Sequence, residues 1–379
     1  MEFGLTEEQQ FIKKTARDFA ENELKPESAE RDETEEFPAK QVKQMGELGF
    51  MGMMIPEEYG GAGMDTVSYV IAVEEISRGD ASCGVTMSVN NSLVCHPIFR
   101  YGNEEQKKKY LVPLANGTHL GSFSLTEPDA GSDAGNLQTT AVRDGDHYVI
   151  NGTKIFVTNG GKSDTVVVFA MTDKEQKYKG INAFIVEKKW DGFEVGKKEN
   201  KLGIRASDTS ELVFKDCKVP KENLLGEEGM GFKIALDALD GGRIGIAAQA
   251  LGIAQAALDE SIAYSKQRTQ FGKPICEFQA IQWMLADMET EIQGARHLVH
   301  QAARAKDSGG RYSKEAAMAK LFASEVAMRT TTKAIQIHGG YGYMKEYPVE
   351  RLFRDAKITE IYEGTSEVQR MVIAASLLK

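Results

Sequence analysis

The chain has 379 residues, 41% of them hydrophobic, and its 46 basic against 56 acidic side chains leave a formal charge of −10. That length outgrows one small core, and the composition fits a folded globular protein, not a disordered one. The acidic balance, without a long basic run, argues against nucleic acid, and no stretch approaches the roughly 18 uninterrupted apolar residues of a membrane helix.

The opening, Met1-Glu2-Phe3 followed by acidic Glu7-Glu8, is unlike a secretory signal or an Arg-rich transit peptide. To about residue 120 the apolar spacing is helical. Phe11, Ala16 and Phe19 mark one stripe, and Tyr69, Val70, Val73 and Ile76 another. Asn103 to Pro113 reads as a capped helix, and Pro56-Glu57-Glu58-Tyr59-Gly60-Gly61 as a loop.

From 121 to 230 short strands take over. Tyr148-Val149-Ile150 and Ile155-Phe156-Val157 flank Asn151-Gly152, a hairpin signal. The runs 165–170, 183–186 and 211–214 are β-branched or aromatic and bounded by turn residues, which predicts a compact β domain of six to eight strands. From 231 to 379 the chain is helical again, with long segments over 232–266, 278–308 and 314–338 that suggest a bundle. The expectation is an α+β protein of three regions, 1–120, 121–230 and 231–379, packed as one unit.

Near the end, Ile358 and Ile361 continue an apolar spacing that breaks at Gly364, and Ser366 with Gln369 reads as a capping box. Val368, Met371, Val372 and Ala375 then follow at helical spacing. Glu363 thus sits on a turn just outside a helix N-terminus. A positioned general base needs such a place, although a carboxylate there also simply favours the helix dipole.

Several chemistries are unsupported. No G-x-G-x-x-G follows a strand, no P-loop occurs, and His297 and His300 have no third ligand nearby, so no metal site is expected. The cysteines, Cys83, Cys95, Cys217 and Cys276, form no Cys-x-x-Cys pair and read as free thiols of a reducing cytoplasm. Four segments remain. Leu125 to Asp133 offers hydroxyls and turn amides to a polar ligand edge, or is a plain β-turn. Phe156 and Thr158 share one strand face, suited to stacking on a planar ring or to core packing. Arg268, at a helix end before Gly272-Lys273-Pro274, grips a phosphate or satisfies helix carbonyls. Gln336-Ile337-His338-Gly339-Gly340 lets backbone approach a phosphate, or is a helix C-cap.

In this order, within an α–β–α layout, these segments resemble the acyl-CoA dehydrogenase family over essentially the whole chain. Pro56 to Gly61, Ser88-Val89-Asn90-Asn91-Ser92 and Tyr362-Glu363-Gly364-Thr365 extend the likeness. Leu239 to Ile246 and Ile358 to Arg370 look most like the family's short-chain, butyryl-CoA types. The resemblance implies a helical N-terminal domain, a β-barrel-like middle domain and a C-terminal four-helix bundle.

It also implies FAD. Phe123, Leu125, Thr126, Gly131 and Ser132 would line the flavin, and Phe156, Val157 and Thr158 would flank its ring. Arg268, Phe271, Gln279, Gln336, Ile337, Gly339 and Gly340 would hold the adenosine and pyrophosphate across a subunit interface. Thr365, Ser366 and Glu367 would complete that site. Ser132, Asp240, Gly241, Gly242 and Arg243 would contact CoA, with Tyr362 and Gly364 near the thioester. Glu363 would be the base removing the pro-R α-proton while a β-hydride passes to the flavin, its pKa raised from about 4.3 by desolvation. Its backbone N–H would bind the thioester carbonyl, and family members with Gly or Ala at this turn are not matched.

The expected reaction is short-chain acyl-CoA to trans-2-enoyl-CoA, with electrons passed to an electron-transferring flavoprotein by a homotetramer, a dimer of dimers. Reduction of an enoyl-CoA such as crotonyl-CoA is the alternative, as are branched, cyclic or aryl short acyl-CoA substrates. An acyl-CoA oxidase and a non-enzymatic scaffold are the readings from other classes.

Overall fold

Helical periodicity in the first region is realised in the computed structural model, which describes residues 4–378; Met1-Glu2-Phe3, read above for targeting, lie outside that range. The helices are α1 (Glu7–Phe19), α2 (Ser28–Thr34), α3 (Ala39–Glu47), α4 (Thr66–Gly79), α5 (Ala81–Ser88) and α6 (His96–Tyr101), then the short α7 (Glu104–Gln106) and α8 (Val112–Ala115). Asn103 and Gln106 cap α7 reciprocally. In α1 the buried face runs Gln9, Ile12, Ala16, Phe19. Phe11 falls off that arc and is 69% exposed, so the expected stripe is corrected by one position.

The middle region contains β1 (Gly121–Ser124), β2 (Thr140–Asp144), β3 (His147–Thr158), β4 (Thr165–Met171), β5 (Ile181–Glu187), β6 (Phe193–Lys198), β7 (Thr209–Pro220) and β8 (Leu224–Leu225). Among the described residues they form one mixed sheet, ordered β6-β7-β3-β2-β4-β5-β8, with β1 parallel to β4. Successive β4 side chains face opposite ways. Val166, Val168 and Ala170 join Phe184, Val186, Leu212 and Phe214 in a core of the sheet's own. Val167, Phe169 and Met171 join the large core shared with the helices. Burial on both faces explains why β4 reads as an unbroken apolar run.

Asn151-Gly152 is not a hairpin turn. It lies inside the continuous strand β3, where pairing with β7 slips between Ile150 and Gly152. The glycine is needed because a Cβ there would lie 2.7 Å from Thr139 Cα. The actual β2–β3 turn is Gly145-Asp146, between the paired Asp144 and His147.

The long helical segments become α9 (Gly231–Gln267), α10 (Gln279–Asp307) and α11 (Ser313–His338), followed by α12 (Val349–Ile358) and α13 (Ser366–Leu377). α9 packs against α4, α10, α11 and α12. Its glycines permit close approach: a Cβ at Gly245 would collide with Ser88 Oγ and lie 2.5 Å from the Tyr69 hydroxyl. No helix among the described residues is long and apolar enough to cross a membrane.

Candidate active site

The turn between α12 and α13 is built from unusual backbone. Glu363 has φ of 53° and Gly364 of 92°. A left-handed non-glycine residue costs of order 1–3 kcal/mol and persists only where its surroundings hold it. Three groups hold this one. Gln369 Nε2 donates to the carbonyl oxygens of Glu363 (3.1 Å) and Gly364 (2.8 Å). Lys320 Nζ, from α11, donates to Gly364 O at 2.8 Å. The Thr365 hydroxyl caps α13 by accepting from Val368 N.

The expected capping box is therefore off by one. Thr365 is the cap, Ser366 is the first helical residue with its Oγ buried and unpartnered, and Gln369 serves the turn instead. The apolar spacing of α13 does not face the core, since Met371 and Ala375 are exposed.

The Glu363 carboxylate reaches α9. A Cβ at Gly242 would collide with Glu363 Oε2 and lie 2.7 Å from Leu93 Cδ2, so only glycine leaves the carboxylate its place. Oε2 is buried without a hydrogen-bond partner. Burial pushes this carboxyl up to about 8, against the opposing charges of Lys320 and Arg243. Arg243 is committed elsewhere, its Nη1 donating to Asp240 Oδ1 at 2.6 Å. The Tyr362 hydroxyl bonds Gln249 Oε1 on the same helix.

Three features follow one another along α9. Asp237 and Asp240 face a cavity of about 430 Å³ also lined by His96, Arg100, Lys306 and Arg311. Gly242 receives the Glu363 carboxylate. About one helical turn beyond Gly242, Gly245 lies under the Tyr69 hydroxyl, which donates to Ser88 Oγ at 3.0 Å. Gly242 and Gly245, three residues apart, share one side of α9, whereas Asp240 points to nearly the opposite side from Gly242 and borders a cavity of mixed charge. Lys306 and Arg311 carried no recognisable signal in the sequence, because only folding sets them beside Asp240.

On the β side, Ile155 N donates to Thr126 O at 3.0 Å, fastening the segment after β1 to β3. Lys154 Nζ, fully buried, donates to Leu125 O (3.0 Å) and Glu127 Oε1 (2.7 Å). Glu127 also accepts from the backbone N–H groups of Gln138 (2.5 Å) and Thr139 (3.1 Å). Phe123, Leu125 and Thr126 are thereby joined to the strand carrying Phe156, Val157 and Thr158. Phe156 sits at a second slip in the β3–β7 pairing, with φ of 57°, and the residue is 61% exposed. Val157 is buried, Thr158 partly so, and Gly131 and Ser132 are exposed.

A third group lies around a groove of about 810 Å³, which Arg268, Phe271, Ile337, Gly339 and Gly340 line together with Tyr264. The Arg268 guanidinium stands over the Tyr341 ring at 5.3 Å. A Cβ at Gly340 would meet nothing within 4 Å, so the backbone there is open. Gln279 opens α10 and Gln336 lies in the last turn of α11, but neither lines this groove. Glu367 is exposed on the first turn of α13.

Three family models match in succession: the acyl-CoA dehydrogenase N-terminal domain over residues 6–118, the middle domain over 122–217 and the C-terminal domain over 229–378. The chain is 58% identical over 379 residues to the short-chain specific acyl-CoA dehydrogenase of Clostridium acetobutylicum, with 100% of each covered. Its fold matches butyryl-CoA dehydrogenase from Megasphaera elsdenii with a TM-score of 0.99, 54% identity and 100% of both chains covered. A structure from work on the electron transferring flavoprotein of Acidaminococcus fermentans and flavin-based electron bifurcation matches with a TM-score of 0.99 and 58% identity, again over 100% of both chains.

Proposed function

We infer that this chain, which belongs to the acyl-CoA dehydrogenase family, catalyses FAD-dependent α,β-dehydrogenation of short-chain, butyryl-CoA-like acyl-CoA to trans-2-enoyl-CoA. One observation carries the reading: a Glu363 carboxylate whose Oε2 is buried and unpartnered, held in left-handed backbone against a glycine of α9. It is the base that takes the α-proton. Its raised pKa matches it to a weak carbon acid better than an ordinary glutamate.

The residues fit FAD. Phe156 turns an exposed ring outward, Ser366 Oγ stands unpartnered at the start of α13, and Arg268 lies beside open glycine backbone. Phe123, Leu125, Thr126, Phe156, Val157 and Thr158 would hold the flavin end, Arg268, Phe271, Ile337, Gly339 and Gly340 the adenosine end. FAD, when bound, supplies the acceptor for the β-hydride. The chain's own part is to orient the thioester, exclude water and move the α-proton onto a Glu363 oxygen.

The CoA phosphates are anions on an acidic protein, and the cavity where Arg100, Lys306 and Arg311 stand against Asp237 and Asp240 offers them a small excess of positive charge. The acyl group is placed beside the Glu363 carboxylate at Gly242, and Tyr69 and Ser88 at Gly245 close that side of α9. Three residues of helix span about 4.5 Å, room for only a few carbons. This supports the short-chain assignment. In a turnover screen with an artificial electron acceptor, butyryl-CoA is expected to be processed best. Octanoyl-CoA turning over faster would overturn the short-chain reading.

Gly242→Ala puts a methyl group where the carboxylate lies. It is expected to slow bleaching of the flavin by butyryl-CoA about 100-fold while FAD stays bound. A native rate would mean that the carboxylate works from another position.

An electron-transferring flavoprotein is the electron partner, as the Acidaminococcus match supports, and a homotetramer is the assembly. Exposed Met371 and Leu377 on α13, with Leu378 just after it, support an interface there. The plan of three domains, 1–120, 121–230 and 231–379, and a cytoplasmic setting with four free thiols belong to the same reading. A carboxyl with a pKa raised to about 8 is also protonated near neutral pH, which suits the reverse reaction. Crotonyl-CoA reduction by the reduced enzyme should then speed up as pH falls through 8; a flat profile would remove that second reading.

A further inference from the structure

Lys320 lies two turns into α11 and has no exposed surface. A lysine stripped of water is uncommon unless its ammonium has a defined partner. Here the partner is main chain: Nζ donates to Gly364 O at 2.8 Å, the same oxygen that takes Gln369 Nε2. We infer that Lys320 is a positioning residue for Glu363, its Nζ tying the Gly364 carbonyl to α11 and so fixing the left-handed turn from which the carboxylate reaches Gly242. The inference rests on the proposed role of Glu363 as base. Lys320 itself, enclosed and bonded to backbone, does not touch substrate.

Its charge acts on the same carboxylate. The groups facing Glu363 are Lys320 from α11, Arg243 from α9, Tyr69 from α4 and Tyr362 beside it on the turn. Those facing Lys320 are Glu363 and Arg243, then Glu360 and Glu367. Burial pulls the Lys320 ammonium down to about 8, and the Glu363 charge opposes that pull. Arg243 already shares its charge with Asp240, so Lys320 is the cation left to Glu363. Without it, burial acts on the carboxyl with less opposition, and the proton is held to higher pH.

The test uses the holoenzyme with Lys320→Met, which keeps the length but neither charge nor donor, and Lys320→Gln, which keeps a polar tip without charge. Bleaching of the flavin by butyryl-CoA is followed against pH, with FAD content and Tm measured alongside. Both variants should move the midpoint of the rate's rise alkaline by about one pH unit. Lys320→Met should also lower the plateau rate about tenfold or more, as expected for a misplaced base. A native midpoint in Lys320→Gln overturns the role even if Lys320→Met does not fold, and so does a native plateau in Lys320→Met. If native enzyme is not bleached by any acyl-CoA, the base assignment fails and this inference with it. Active native enzyme with unaltered variants removes only Lys320.

Discussion

Replacing Glu363 with Gln is expected to slow bleaching of the flavin by butyryl-CoA about 100- to 10,000-fold while leaving FAD in place. The amide fills the same space against Gly242 and keeps the backbone turn, whose ties run through the carbonyls of Glu363 and Gly364 and not through the side chain. Only the capacity to accept a proton is removed. The native enzyme should also show how that capacity depends on pH. The ionised carboxylate is the active form, and burial raises its pKa to about 8. The rate of proton abstraction should therefore rise as pH passes upward through 8 and level off above it. Glu363→Gln should lose this rise along with the rate. A variant that bleaches normally with butyryl-CoA would move the base to another residue.

How visible this site is in the sequence depends on the range of the forces that make it. α9, α10 and α11 are legible because good helix formers at helical spacing persist over more than two dozen residues. β4 and β5 are legible because β-branched runs are short and bounded. The break carrying Glu363 shows for a local reason too, in Gly364 and the hydroxyl pair after it, although the apolar spacings on either side mislead: α12 ends at Ile358, and Ile361 and Met371 are exposed.

What fails is local chemistry decided by distant atoms. Asn151-Gly152 imitates a hairpin turn, but its glycine answers to Thr139 across the sheet. Thr365 and Ser366 are equivalent as caps in sequence. The engagement of Gln369 with the turn carbonyls decides between them. Lys320 and Lys154 are the hardest cases. Lysine is almost always a surface residue, and nothing beside either one in the chain announces that it is buried. Gly242 likewise reads as a weak spot in a helix until the carboxylate resting on it is seen.

Lys154→Met is expected to produce the largest loss of stability in the chain. Lys154 and Glu127 face each other at 2.7 Å, both buried. Burial alone would raise the Glu127 carboxyl, but the charge and hydrogen bond of Lys154, with the Gln138 and Thr139 groups, outweigh it and hold it below its usual range. Burial meanwhile pulls Lys154 down to about 8. Removing the ammonium leaves a buried carboxylate without a counter-charge, a change that costs about 3–5 kcal/mol. For a protein of 379 residues that corresponds to a fall in Tm of about 4–6 °C. FAD should also be lost more readily, because Lys154 joins Leu125 and Glu127 to the strand bearing Phe156. An unchanged Tm would show that water or another cation replaces the ammonium. The double variant Lys154→Met/Glu127→Leu separates an ion pair from a scaffold. If the two charges only neutralise each other, an apolar pair should restore stability. Glu127 also accepts two backbone N–H groups, and leaving these unpaired costs about 1–3 kcal/mol each. The double variant should therefore stay well below native stability. Full recovery would reduce Glu127 to a counter-ion and leave the loop after β1 to the Ile155–Thr126 hydrogen bond and the packing of Leu125 and Ala130.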